Sequence, residues 1–205
     1  GRALELGIGT GRIEIPLHQA GVAVSGIDAS PAMVARLRSK AGGEDIQVTI
    51  GNFADLAVEG CYTLIYVLFN TFFGLLTQDE QLRCFENVSH HLAPGGSFLV
   101  EAFVPDLNRF VDGQAFRTVQ IGEQEVRVDA TQHDPLLQLI VSQHIVLTEQ
   151  GTHFYPVKLR YVWPSEFDLM ARLAGLQRSQ RWGAWDQSAF TANSKRHISV
   201  YTLPG

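Results

Sequence analysis

Over the first hundred positions, apolar residues come in short runs separated by stretches with helical spacing. Residues 2–6, 22–27, 46–50, 62–69 and 97–104 read as strands. A glycine-rich turn at 7–11 leads into a helix ending near Ala20. Ser30-Pro31 offers a side-chain cap and a proline at the first helical position, opening a helix to about Ala41. Leu82, Phe85, Val88 and Leu92 share one face of a helix predicted over 78–92, which Pro94-Gly95-Gly96 ends. Near-continuous apolar strands alternating with helices predict an α/β fold, a Rossmann-like doubly wound and mostly parallel sheet.

After Pro105 the pattern changes. Residues 117–121, 125–131, 137–148 and 152–163 read as four strands, separated by short turns at Gly122-Glu123, His133-Asp134-Pro135 and Gln150-Gly151. Short turns make antiparallel hairpins, not crossovers. A helix then runs from Pro164 to about Ala174, ended by Gly175, and 197–203 returns to a strand pattern. Three segments result: a core over 1–104, an antiparallel β insert over 105–163, and a helix with strands completing the core over 164–205.

Composition narrows the class. The 205 residues are 45% hydrophobic and 18% charged, which excludes disorder and coiled coil. The net charge is −5 with scattered Lys and Arg, so no nucleic-acid partner is expected. The longest apolar run, residues 64–69, is far short of the roughly 20 residues of a membrane helix. Cys61 and Cys84 imply no disulfide framework, no metal set is evident, and a cytoplasmic location is the default. The chain opens directly on a strand without an initiator methionine, so a preceding segment is expected.

The chemistry concentrates in Glu5-Leu-Gly7-Ile-Gly9-Thr-Gly11. Glycines between a strand and a helix let backbone approach a ligand, and the helix start offers free N–H groups to an anion. A tight connection with no ligand is the alternative. Asp28, at the carboxyl end of the second strand, has the spacing of an acceptor for a ribose diol; a turn or capping aspartate is the competing role. The dinucleotide fingerprint needs a small residue where this chain has Arg12, which argues against a nicotinamide cofactor.

With Gly26-Ile-Asp28-Ala-Ser-Pro-Ala-Met33, Gly51-Asn52-Phe53 and Leu92-Ala-Pro-Gly-Gly96 added, most of the chain resembles the class I S-adenosylmethionine-dependent methyltransferases of the small-molecule type. The resemblance implies a glycine loop (Glu5, Gly7, Gly9, Gly11) along the methionine part of S-adenosyl-L-methionine. It also implies ribose on Asp28, adenine framed by Asn52 and Phe53 and packed on Met33, and Leu68 at the cofactor edge. Many members carry Asp where this chain has Asn52. Met33 has core packing as its alternative role.

The insert resembles the antiparallel cap of small-molecule members, roofing a small-molecule acceptor and contributing to a possible homodimer. Some amino-sugar members place a histidine base on an early insert strand, where Asp129-Ala-Thr-Gln-His133 does not clearly supply one. Candidate substrate-facing groups are Asn70, Glu101, His144 and Tyr161. Their alternatives are a turn cap, a structural ion pair and two ordinary sheet residues. Trp163, Trp182 and Trp185 suggest an aromatic cluster near the acceptor entrance. The expected activity is methyl transfer to N or O of a small molecule. A cofactor-binding protein without turnover and a nicotinamide-dependent oxidoreductase are the competing classes.

Overall fold

The computed structural model describes residues 1–205, which form two compact units. The first comprises residues 1–72, 77–104 and 164–205. Its sheet has seven strands in the order β10-β11-β5-β4-β1-β2-β3. Five are parallel: β1 (Arg2–Leu6), β2 (Ala23–Asp28), β3 (Gln47–Ile50), β4 (Tyr62–Val67) and β5 (Leu92–Phe103). The antiparallel β11 (Arg196–Thr202) lies between β5 and β10 (Gln177–Trp182). The winding reverses at β1, which has β2 on one side and β4 on the other. Ligands of such sheets bind at that switch point, beyond the strands' carboxyl ends.

The helices are α1 (Glu14–Gln19), α2 (Pro31–Arg38), α3 (Gln78–His91) and α4 (Pro164–Leu173). Ser30 caps α2 by accepting from the Met33 N–H, and Thr77 with Glu80 closes a reciprocal capping box on α3. Phe85 of α3 sits among Phe72, Phe98, Phe167 and Tyr201, with ring centroids 5.2–6.2 Å apart. Several of these pairs are edge-to-face, the arrangement aromatic quadrupoles favour. Arg181 of β10 ties α4 to the sheet: it grips both Asp168 oxygens (2.7 and 3.2 Å) and donates to Ser199 Oγ, Tyr201 Oη and the Pro164 carbonyl.

The second unit comprises residues 105–163 and 73–76. Four antiparallel strands run in chain order: β6 (Gln114–Ile121), β7 (Glu125–Asp134), β8 (Leu139–Thr148) and β9 (Gly151–Arg160).

Three features depart from the sequence pattern. Strand β10 is polar (Gln-Arg-Ser-Gln-Arg-Trp) and forms a sheet edge, so it carries none of the apolar signal of a buried strand. Strand β5 begins at Leu92, which pairs with Tyr62; the Pro94-Gly95-Gly96 turn is absorbed as an irregularity within the strand, with Gly95 at φ 73°. Helix α2 stops at Arg38, short of Ala41.

Candidate active site

The glycine loop is fastened to β2 by its backbone. The N–H groups of Gly7 and Ile8 both donate to the Ile27 carbonyl (2.8 and 3.1 Å). Gly7, Gly9 and Gly11 all have positive φ, the left-handed region that a Cβ disfavours. The second and third glycines differ in what surrounds them. A methyl group on Gly11 would stand 3.0 Å from Leu37 and 3.2 Å from Ile15, so that glycine permits packing against α2. A methyl group on Gly9 would meet nothing beyond its chain neighbours nearer than the Gly7 carbonyl oxygen, 4.0 Å away. The open side of the loop is at Gly9.

That side borders a cavity of about 220 Å³, lined by Glu5, the 7–10 turn, Arg12, Ile13, Glu14, Phe69 and Thr71. At its acidic end Glu5 and Glu14 are both buried, and each leaves its Oε2 without a hydrogen-bond partner. Tyr66, opposite Glu5 on β4, donates to Glu14 Oε1 (2.5 Å). Burial first, then the hydrogen bond and charge of Glu14, push the Glu5 carboxyl far above its ordinary range. At the other end the Arg12 guanidinium rests over the Phe69 ring, 5.2 Å from its centroid. A buried acid pair, a cation and a glycine turn in one cavity match a zwitterionic amino-acid group: the acids suit its ammonium, Arg12 its carboxylate.

Asp28 performs the turn role that competes with ribose binding, and it does so with both oxygens. Oδ2 accepts from Gly9 N–H (2.7 Å) and Oδ1 from Ser30 N–H (2.8 Å), each keeping a second lone pair. We expect Asp28→Ala to strand these two N–H groups and weaken the loop. Stability should fall by about 1.5–3 kcal/mol and affinity for a ribose-bearing ligand by roughly tenfold to a hundredfold. Urea unfolding and titration calorimetry read the two separately; unchanged affinity would leave Asp28 as a loop tether alone.

The remaining predicted residues divide. Met33 is exposed, so it is not the core residue its alternative role required. Phe53 is buried, with its ring edge 3.9 Å from where a Gly7 Cβ would stand. Asn52 accepts from Ala54 N–H (2.9 Å), with its amide 3.4 Å from Glu80. Leu68 points into the core beside Ala3, Val24 and Tyr66. Asn70, at φ 65°, accepts from Phe103 N–H (2.7 Å), which joins the β4 loop to the end of β5. Glu101 is a junction with both oxygens engaged: Phe69 N–H, Trp185 Nε1 and Arg196 all donate to it, within 3.3 Å. The ion-pair alternative is thus what the structure has for Glu101.

In the second unit Tyr161 is buried, in hydrogen-bonding contact with His133 Nε2 (3.1 Å) and edge-on to Trp163. Trp185 instead serves Glu101, and Trp182 pairs with Ile198 across β10 and β11. His144 faces Asp129 across the β7–β8 ladder and donates from Nδ1 to Asp129 Oδ1 (2.5 Å), while Arg117 donates to Oδ2. Burial opposes ionisation of Asp129, but the hydrogen bonds and charges of His144 and Arg117 outweigh it and hold the carboxyl below its ordinary range. A cavity of about 430 Å³ adjoins the pair, lined also by Val119, Val146 and Tyr155.

Comparison with known proteins places the chain in a family. Residues 3–96 match the family model for a methyltransferase domain. The solved structure of the CcbJ methyltransferase from Streptomyces caelestis superimposes with a TM-score of 0.93 at 40% identity, over 100% of this chain and 84% of that one. The chain belongs to the class I S-adenosylmethionine-dependent methyltransferases. A cypemycin N-terminal methyltransferase from a Streptomyces species is 28% identical over 200 residues, 96% of this chain and 81% of that protein. S-adenosylmethionine-bound CalS10, an amino pentose methyltransferase from Micromonospora echinaspora, shares the fold at 21% identity, with a TM-score of 0.75 over 100% of this chain and 84% of that one.

The cofactor of this methyltransferase is S-adenosylmethionine, and the loop cavity fits its amino-acid end. The nicotinamide alternative falls with the family. Sequence reasoning singled out neither Glu14 nor Tyr66, and gave Arg12 no part in this cavity. One signal was available for Glu14: a charged residue three positions after the loop, between Ile13 and Ile15.

Proposed function

We propose that this methyltransferase acts on the nitrogen of a small-molecule amine and that its antiparallel unit carries acceptor-recognition groups. The Asp129–His144 pair is the observation that carries the reading. An amine arrives largely protonated and must lose a proton before it can attack carbon. A histidine whose Nδ1–H is held by a carboxylate has a fixed tautomer, leaving Nε2 as the acceptor for that proton. His144 is half-exposed, so Nε2 is open to a substrate. The cypemycin enzyme, named as an N-terminal methyltransferase, supports nitrogen as the acceptor atom.

When bound, the cofactor supplies an electrophilic methyl carbon on a sulfonium sulfur. The residues of the chain then have three tasks. The glycine loop holds the cofactor, Asp28 orients it, and His144 takes the proton. Orientation and water exclusion account for much of the rate in such displacements, without a covalent intermediate.

Labelled methyl transfer to a panel of amines, phenols and alcohols tests the reading. With the amine the panel identifies, His144→Gln should lower kcat by roughly 10²–10⁴-fold. Cofactor affinity should stay within a few-fold. Transfer only to hydroxyls, or an unchanged kcat in His144→Gln, overturns it.

A further inference from the structure

Glu5 and Glu14 form an unusual pair. Glu14 is completely buried at the start of α1, Glu5 is 5% exposed on β1, and both line the loop cavity with an Oε2 atom that lacks a partner, which a hydrogen bond between the two carboxyls would supply. Carboxyl groups make that bond only with a proton between them. Without it both Oε2 atoms lack a donor. Tyr66 donates to the far oxygen of Glu14 and so fixes which oxygen is left for Glu5. The other charged groups facing the pair are Asp28 from β2, whose charge favours retention of the proton, and Arg12 from the loop.

We propose that Glu5 and Glu14 share one proton in the free protein and release it to solvent when the cofactor binds. Glu14 and Tyr66 are then positioning residues that make cofactor affinity proton-linked. The inference rests on the loop cavity being the cofactor's site. The balance is simple: a pair of charge −1 gives up H⁺, becomes −2, and faces the ammonium and sulfonium of the ligand. An added positive charge inside a buried site favours the ionised form of a neighbouring acid. Because binding releases a proton, affinity rises with pH, by up to tenfold per unit while the free pair still holds its proton.

Titration calorimetry of the 205-residue chain with S-adenosylmethionine at pH 6.5, in PIPES and in imidazole, counts the protons released. At that pH the cofactor's own α-amino group, with an ordinary pKa of about 7.7–8, is already protonated and adds nothing to the count. The expected release is close to one proton. In Glu14→Gln the new amide donates to Glu5 and accepts from Tyr66, so the hydrogen bonds survive. That variant should release none and bind with an affinity that is flat between pH 6 and 7. Glu5→Gln should behave likewise. Binding with no proton release by the unaltered chain, or equal release by Glu14→Gln, overturns the shared proton. Absence of any binding overturns the cofactor assignment of the cavity as well.

Discussion

Gly9→Val should abolish cofactor binding while leaving a folded protein. The space beside Gly9 is open in the structure, and the valine methyls would occupy what the cofactor needs. An affinity loss greater than roughly a hundredfold, about 2.7 kcal/mol, is expected. Holding a β-branched residue at φ 55° adds strain of about 1–3 kcal/mol, which lowers stability without removing the fold. Gly11→Val is the comparison. There a Cβ meets Leu37 and Ile15 at 3.0–3.2 Å, so the same change should register mainly in unfolding. Calorimetry with S-adenosylmethionine and urea titration of both variants give the contrast. Equal affinity losses at equal stability would mean that Gly9 has no special place at the cofactor.

The largest expected loss of stability comes from Arg181→Met. The Arg181 side chain is 7% exposed and makes five hydrogen bonds, two of them with Asp168. Removing it leaves the Asp168 carboxylate, itself mostly buried, with Tyr201 and the half-exposed Arg178. Breaking a buried pair from one side costs about 3–5 kcal/mol, because the remaining charge keeps its desolvation penalty. Replacing both partners, as in Arg181→Met with Asp168→Leu, should recover part of that loss. A single-variant loss below about 1 kcal/mol in urea would show that solvent reaches Asp168 once the arginine is gone.

The loop and its cofactor were legible in the chain because their chemistry is local. Glu5 to Gly11 are consecutive, and Asp28 sits one strand–helix unit later, at a spacing set by the fold. The acid pair was not legible as a site. Tyr66 meets Glu14 from 52 positions away, and only the β1–β4 register brings Tyr66 opposite Glu5. Asp129 and His144 were readable as residues of hairpin strands. Their pairing depends on a register that no turn in the sequence specifies uniquely, and a slip of one residue would put them on opposite faces. Glu101 drew attention as a carboxylate in an apolar strand. Its donors, Phe69, Trp185 and Arg196, come from three segments whose convergence no local pattern records.

The place of β11 in the sheet has a consequence for how the molecule is made. Strand β5 pairs with β4 on one side and with β11 on the other, and β11 begins about ninety residues after β5 ends. At translation rates of roughly 5–20 residues per second, that edge of β5 waits on the order of 5–20 s on the ribosome for its partner. Meanwhile the four strands of the second unit are synthesised and can close on one another locally. A nascent chain therefore carries an open apolar sheet edge, the kind that recruits strands from neighbouring chains, until β11 emerges. Loss of β11 would remove the strand that separates β5 from such encounters.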